Sequence, residues 1–446
     1  MHKYKYYIFR VFIGLLLLPT ISCEEYLDKS IESDLTETDV FKDFEHAQGF
    51  VEQMYTYVVN YASGTGSTHS SSFLLGDETV GNSLNFNDLY WERGQLDKWE
   101  TTGYFSRNGT VTDIEIFDRF GIWEGWEAIR IANIAIRNVD LMVGATQTEK
   151  NLIKGQALFF RAFFHHEIMK FWGRIPYVDI VITGNDDDYK FTRPATYQEC
   201  ALRADEDFAA AAELLPYSWD DLKNDSNATF LTLRDETFGN NLLRINKAIV
   251  YSYKGKNLLL AASPLMQGKT GTYEYNEELC ERAAADLAKV IKMDRDNVNE
   301  LGLATKDNYK YVFYTTVSNN RNWPGTAKNM GNGEGEFIFS STSQVASRSQ
   351  NLCKTYMPYS PHPRRVTPCH SFVHRIFGTS NGLACDEDTA FDPQNEFENR
   401  DPRFYMWLII DGDKIIEKAT ALPEYRFARL YTNGLIWQII NTPPTG

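Results

Sequence analysis

Between residues 114 and 290 the apolar side chains recur at helical spacing in segment after segment, and that period constrains the fold more than any other feature. From Ile114 the positions Phe117, Phe120, Ile129, Ile136 and Leu141 keep the spacing, with Trp123 and Trp126 between them. A second segment, Glu149 to Phe171, puts Leu152, Phe159, Ala162, Phe163 and Met169 on one face. Its Gly155 and Ala162 are small enough to admit a neighbouring helix closely. A third opens on a capping box, Thr196-x-x-Glu199, and runs through Ala204, Phe208, Ala211 and Leu215 until Pro216 stops it. Asn246 to Ala262 makes a fourth, ending before Pro264. A fifth starts near Asn276 with Glu277 and Glu278 in its first turn, and carries Leu279, Ala283, Leu287 and Val290.

Long Ala- and aromatic-rich helices with small residues at contact positions predict a mainly α fold. The expected architecture is a scaffold of helix pairs stacked like tetratricopeptide repeats, although no strict 34-residue period is visible. Long loops rich in Gly, Ser and Asn interrupt it at Ser63 to Ser72, Gly184 to Asp188 and Asn319 to Gly335. Insertions of that length in a compact domain tend to carry function. Few strands are expected, the best being Glu336 to Thr342. No shift in composition calls for a second domain.

The N-terminus adds an address. Lys3, Lys5 and Arg10 precede an apolar run from Val11 to Leu18, far short of the roughly 20 residues a membrane-spanning helix needs. Residues 1–22 read as a signal peptide, and Ser22 followed by Cys23 reads as a lipoprotein cleavage site with Cys23 acylated. The alternative is an ordinary secretory signal beside an incidental cysteine. Loss of residues 1–22 removes three basic side chains and no acidic ones, taking the formal charge from -15 to -18. A surface so acidic repels phosphate backbones, so nucleic acid is not an expected partner. Beyond Cys23, five cysteines at loose spacing (Cys200, Cys280, Cys353, Cys369 and Cys385) make no disulfide framework.

Several stretches, in order, resemble one family. Gly155-Gln156-Ala157-Leu158-Phe159-Phe160-Arg161-Ala162, followed by Lys170-Phe171-Trp172-Gly173-Arg174-Ile175-Pro176-Tyr177-Val178, is similar to the helix-and-turn signature of SusD/RagB proteins. Arg161 is positioned to bridge helices there, while Gly173 and Pro176 end the helix and set its exit. Trp126 to Asn138, with Asn133, resembles the preceding family helix, and Asn246 to Pro264 a later one. Val366 to Gly382 looks like the element before Glu398-Asn399-Arg400-Asp401-Pro402-Arg403-Phe404, which matches the family's Asn-Arg-Asp-Pro-Arg element almost verbatim. Gln156 stands where the family often has Glu, weakening one expected ion pair. The family's closing Glu-Arg-Arg-x-Glu-Leu and Arg-x-x-Asp-Leu-x-Arg-Trp elements are not found before Gly446. The expectation is therefore one SusD-like domain over residues 23–446, lacking those helices, with apolar surface left uncovered and a tendency to aggregate.

The resemblance implies a lipid-anchored protein on the outer-membrane surface. It would capture oligosaccharide, or in some members peptide, for a SusC-like TonB-dependent transporter, without catalysis or cofactor. A glycoside hydrolase, a peptide binder and an adhesin are the alternatives. His165-His166-Glu167 is half of a zinc-protease helix, but Lys170 occupies the place of the second His. Cys369, His370 and His374, flanked by Cys353 and Cys385, fit no zinc ribbon or finger, and no metal site is expected. Glu396, Glu398 and Asp401 as glycosidase carboxylates compete with a structural use of the same element. Asp186-Asp187-Asp188 and Asp386-Glu387-Asp388 lack the grammar of a known Ca²⁺ loop. Sugar rings stack their C–H faces on indole and phenol rings while polar side chains at the rim take the hydroxyls. The loop aromatics and their polar neighbours make the expected platform: Trp91, Arg93, Trp99 and Tyr104, with Asn322 and Trp323.

Overall fold

The computed structural model describes residues 36–58, 79–81, 123–184, 189–219, 222, 241, 244–268, 273–296, 338–339, 366–414 and 427–428. The long helices are α2 (Phe44–Thr56), after a single-turn α1 (Glu37–Val40), then α3 (Trp123–Asn138), α4 (Gln147–Trp172), α5 (Tyr197–Leu214), α6 (Lys247–Ala262) and α7 (Glu277–Arg295). Each of α3 to α7 packs on the next in sequence, and α2 lies against α3 and α4. This is the mainly helical, tetratricopeptide-like stack that the spacing predicts.

Local chemistry sets the helix ends. Asn246 and Asn276 cap α6 and α7, each side chain accepting from the backbone N–H three residues on. Thr196 caps α5 in the same way, but Glu199 returns its bond to the N–H of Ala195 at 3.0 Å, so the expected reciprocal box is only half made. The complete box sits at α4, where Thr146 and Glu149 satisfy each other's backbone N–H groups. The N-terminal helix α2 was not expected. Its signal is legible afterwards in an Asp43 cap and the buried series Phe44, Ala47, Gln48, Val51, Met54 and Tyr55.

Helix α4 is the axis of the core. All of residues 155–169 are buried, not one face alone, because α2, α3 and α5 all pack against this helix. Phe159, Phe160, Phe163 and Phe164 meet mostly edge to face, and Tyr55 and Tyr253 close on them at 4.7 and 5.0 Å between centroids. Glycine sets the helix spacing. A Cβ on Gly155 would stand 2.7 Å from Leu215, and one on Gly255 2.6 Å from Leu287.

Charges stitch the outer helices. Lys254 of α6 lies 2.9 Å from Asp205 of α5 and 2.6 Å from Asp286 of α7, while Arg282 and Lys289 take those carboxylates from the other side.

Among the described residues one two-stranded antiparallel sheet occurs, β1 (Thr79–Gly81) on β2 (Val366–Pro368), with Val80 opposite Thr367. Of the strand expected at Glu336 to Thr342 only Ile338 and Phe339 are described; they are not in a strand and pack on the core. After β2 come two short helices, α8 (His370–Ile376) and α9 (Pro402–Trp407), with a small core of Val373, Phe377 and Phe404.

Candidate functional site

The expected platform residues Trp91, Arg93, Trp99, Tyr104, Asn322 and Trp323, and the expected lipidation residue Cys23, all lie outside the described residues, as do Asp186-Asp187-Asp188. What the structure does place are the signature residues and the chemistry-bearing clusters.

Arg161 occupies the crossing of three helices. Its Nε and Nη2 donate to the two carboxylate oxygens of Asp207 on α5, both at 2.6 Å. Nη1 donates to Asn133 Oδ1 of α3 at 3.0 Å and to the carbonyl of Asp179 at 3.3 Å. Asn133 turns its amide N–H groups to the carbonyls of Val178 and Ile180, at 3.0 and 2.9 Å. Tyr177 adds its hydroxyl to Asp207 Oδ2 at 2.5 Å. Burial first, and the Asp207 charge second, hold that phenol well above its usual pKa. The bridging role read for Arg161 is what the structure contains. Asp207, 46 residues away, carried no signal of its own.

The start of the exit turn is held by contacts of its own. Gly173 has φ of 67°, a conformation open to glycine, and its N–H closes α4 on the carbonyl of Met169. Arg193 donates to the carbonyls of Arg174 and Trp172, pinning the turn from beyond Pro176.

His165 and His166 are packed, as expected of a helix core. His165 Nδ1 donates to the Arg161 carbonyl at 2.7 Å, and its Nε2 accepts the Val178 N–H at 2.9 Å. Those partners define a neutral ring, and burial lowers its pKa to about 3. His166, lowered to about 4 by burial, pairs with Asn257 of α6, which donates to the Ala201 carbonyl of α5. Gln156 is fully buried and belongs to an amide pair, not an ion pair. It exchanges hydrogen bonds with Gln48 at 2.9 and 3.2 Å and accepts from the Tyr55 hydroxyl at 2.8 Å.

In the C-terminal segment the Asn-Arg-Asp-Pro-Arg element is structural throughout. Asn399 takes the left-handed conformation at φ 52°, Asp401 caps α9, Pro402 fills its first turn and Arg403 pairs with Asp401. Arg400 is buried with its guanidinium on the carbonyls of Val373, Phe377, Gly378 and Glu396, over the Phe404 ring. Two of those carbonyls, Val373 and Phe377, lie at the end of α8, where a cation is favoured. Asp388 is likewise a clamp, accepting from Thr379, Asn381 and the Ala390 N–H. Glu396 differs. Its Oε2 lies 2.8 Å from His374 Nε2 and 3.1 Å from His370 Nε2, and these contacts hold its carboxyl below the usual carboxylate range.

Comparison with known proteins follows from this arrangement. A family profile described as starch-binding and associating with the outer membrane matches residues 25–230. No curated protein matches the chain. Among solved structures, BT4246 superposes with a TM-score of 0.50 at 17% identity, covering 83% of this chain and 65% of that one. A SusD-like protein from Bacteroides fragilis NCTC 9343 has a TM-score of 0.48 at 16% identity, over 86% of this chain and 63% of that one. A SusD-like carbohydrate binding protein from the same organism has 0.48 at 14% identity, over 84% and 61%. The chain thus spans less than two thirds of the length of each. Among the described residues no helix is long and apolar enough to cross a membrane. The profile match takes in α2 to α5 and with them the whole Arg161 crossing, so that over residues 25–230 this chain is similar to the SusD-like family.

Proposed function

We propose that the protein is a cell-surface glycan-binding lipoprotein that captures an oligosaccharide for import through a partner TonB-dependent outer-membrane transporter. The observation that carries this reading is the match of residues 25–230 to a family described as starch-binding and associating with the outer membrane. Carbohydrate binding is also the description of the second Bacteroides fragilis protein. On this reading residues 1–22 are the signal peptide, Cys23 is acylated, and residues 23–446 act as one binding domain. Trp91, Trp99, Tyr104 and Trp323 supply ring faces for sugar, with Arg93 and Asn322 hydrogen-bonding its hydroxyls.

The role is binding without turnover. Purified protein is screened against plant, host and microbial oligosaccharides by calorimetry, with reducing-sugar release read on the same samples. Binding of at least one glycan with no new reducing ends is the expected result. On that glycan Trp91→Ala or Trp323→Ala should weaken binding about tenfold, the scale of one lost aromatic contact in a binding pocket. Release of reducing ends would make the protein a hydrolase; absence of any glycan binding would turn the reading towards peptide capture or adhesion.

A further inference from the structure

The tertiary fold assembles a donor set that none of the spacings in the sequence defines. His370 and His374 lie one helical turn apart on α8, their rings 4.1 Å between centroids. Glu396, 22 residues further on, sends one oxygen between them. The three ligand atoms lie within 4.8 Å of one another. We propose that His370, His374 and Glu396 form a binding site for a borderline divalent transition-metal ion, with zinc the ion that fits the donors.

Geometry and chemistry both support the assignment. Zinc held at about 2.0–2.1 Å from each donor in a tetrahedron sets those donors about 3.3 Å apart. The two nitrogen-to-oxygen separations are 2.8 and 3.1 Å, so the ion requires an opening of a few tenths of an ångström. Two imidazoles and one carboxylate suit zinc and its neighbours and are poor ligands for calcium, which takes six to eight oxygens. Each ring coordinates through Nε2 and keeps its proton on Nδ1, while Glu396 contributes the negative charge.

The support beneath the donors is built. Glu396 sits on a loop whose backbone is held from two directions: Arg400 donates to its carbonyl at 2.8 Å, and Asp392 accepts from the Gln394 N–H and the Asn395 amide. Phe391 meets the His374 ring edge to face at 5.7 Å and fixes its tilt. His374 and Glu396 are partly buried, whereas His370 is largely exposed. Three protein donors on one side and solvent on the other leave a fourth position for water or for an oxygen of an incoming molecule. The opposing account is a plain hydrogen-bonded trio in which both imidazoles donate to the carboxylate.

Metal binding separates the two. The full chain, stripped with chelator, is dialysed against Zn²⁺, and Co²⁺ serves as the coloured substitute. The expected results are one ion per chain at this site and an affinity lowered at least tenfold in His374→Ala and in Glu396→Gln. The intense visible absorption of tetrahedral Co²⁺ should vanish in the His370→Ala/His374→Ala double variant, with circular dichroism confirming that it folds. Equal uptake and equal Co²⁺ spectra in the wild type and the double variant would overturn the proposal. Should that variant fail to fold, imidazole ¹⁵N NMR of the wild-type chain decides: Zn²⁺ must shift Nε2 of His370 and His374, and shifts confined to other histidines would overturn it. Failure here leaves the glycan reading untouched, since it rests on other residues.

Discussion

Arg161 shows what one side chain does when its charge is taken out of water. A guanidinium and a carboxylate each lose hydration on burial, and only a full set of partners offsets that loss. Here Arg161 and Asp207 keep about a tenth of their side-chain surface and meet through two parallel bonds, with Asn133, Tyr177 and a backbone carbonyl taking further sites. Arg161→Ala leaves Asp207 buried opposite a void and should cost about 3–5 kcal/mol of unfolding free energy. Arg161→Met with Asp207→Leu removes both charges and fills the space, and should recover much of that loss. Urea denaturation followed by circular dichroism measures both variants against the parent; a single-variant cost below about 1 kcal/mol would mean that the crossing is held by apolar packing alone.

At the scale of elements the same residue type has opposite uses. Gly255 in α6 faces Leu287 and the Ala283 carbonyl of α7, and an added methyl has nowhere to go without moving that helix. Gly49 in α2 is exposed and has nothing within 4 Å of its missing Cβ. Gly255→Ala should therefore destabilise the protein by about 1–3 kcal/mol through overpacking, despite a helix-propensity gain of roughly 1 kcal/mol. Gly49→Ala keeps that gain with no steric cost and should stabilise by about 0.5–1 kcal/mol. Thermal melts of the two variants beside the parent should move in opposite directions. Equal shifts would show that α6 and α7 slide apart freely.

Among the described residues α3 to α7 form a stack in which each helix packs on the next, so that α4 is sealed between neighbours and the ion pairs of Lys254 reach across three helices at once. On the proposed reading, use at a cell surface depends on attachment. Cys23→Ala in cells should release the protein in soluble form and abolish incorporation of labelled palmitate, because a diacylglycerol-modified, N-acylated cysteine buries enough methylenes for stable anchoring. Palmitate labelling that survives the substitution would place the lipid elsewhere, and a parent protein that takes up no palmitate would make residues 1–22 an ordinary secretory signal.

Helix positions from α3 to α7 were legible in the sequence because period, caps and terminators act within a few residues: Asn246 and Asn276 start their helices where expected, and Pro216 and Pro264 stand just beyond the helix ends. The bridging of Arg161 and the turn at Gly173 were legible too, through a family resemblance that the fold agrees with. The partners were not. Asp207 for Arg161, Gln48 for Gln156, and Glu396 for the His370 and His374 pair lie 46, 108 and 22 residues away along the chain. Nothing local in those residues distinguishes them from other polar side chains on helix and loop surfaces. A periodic pattern reports which face of a helix is apolar, because that is a property of the segment alone. Which polar group meets which across helices depends on how the segments pack, and only the tertiary structure decides it, by bringing nearly all buried donors to an acceptor.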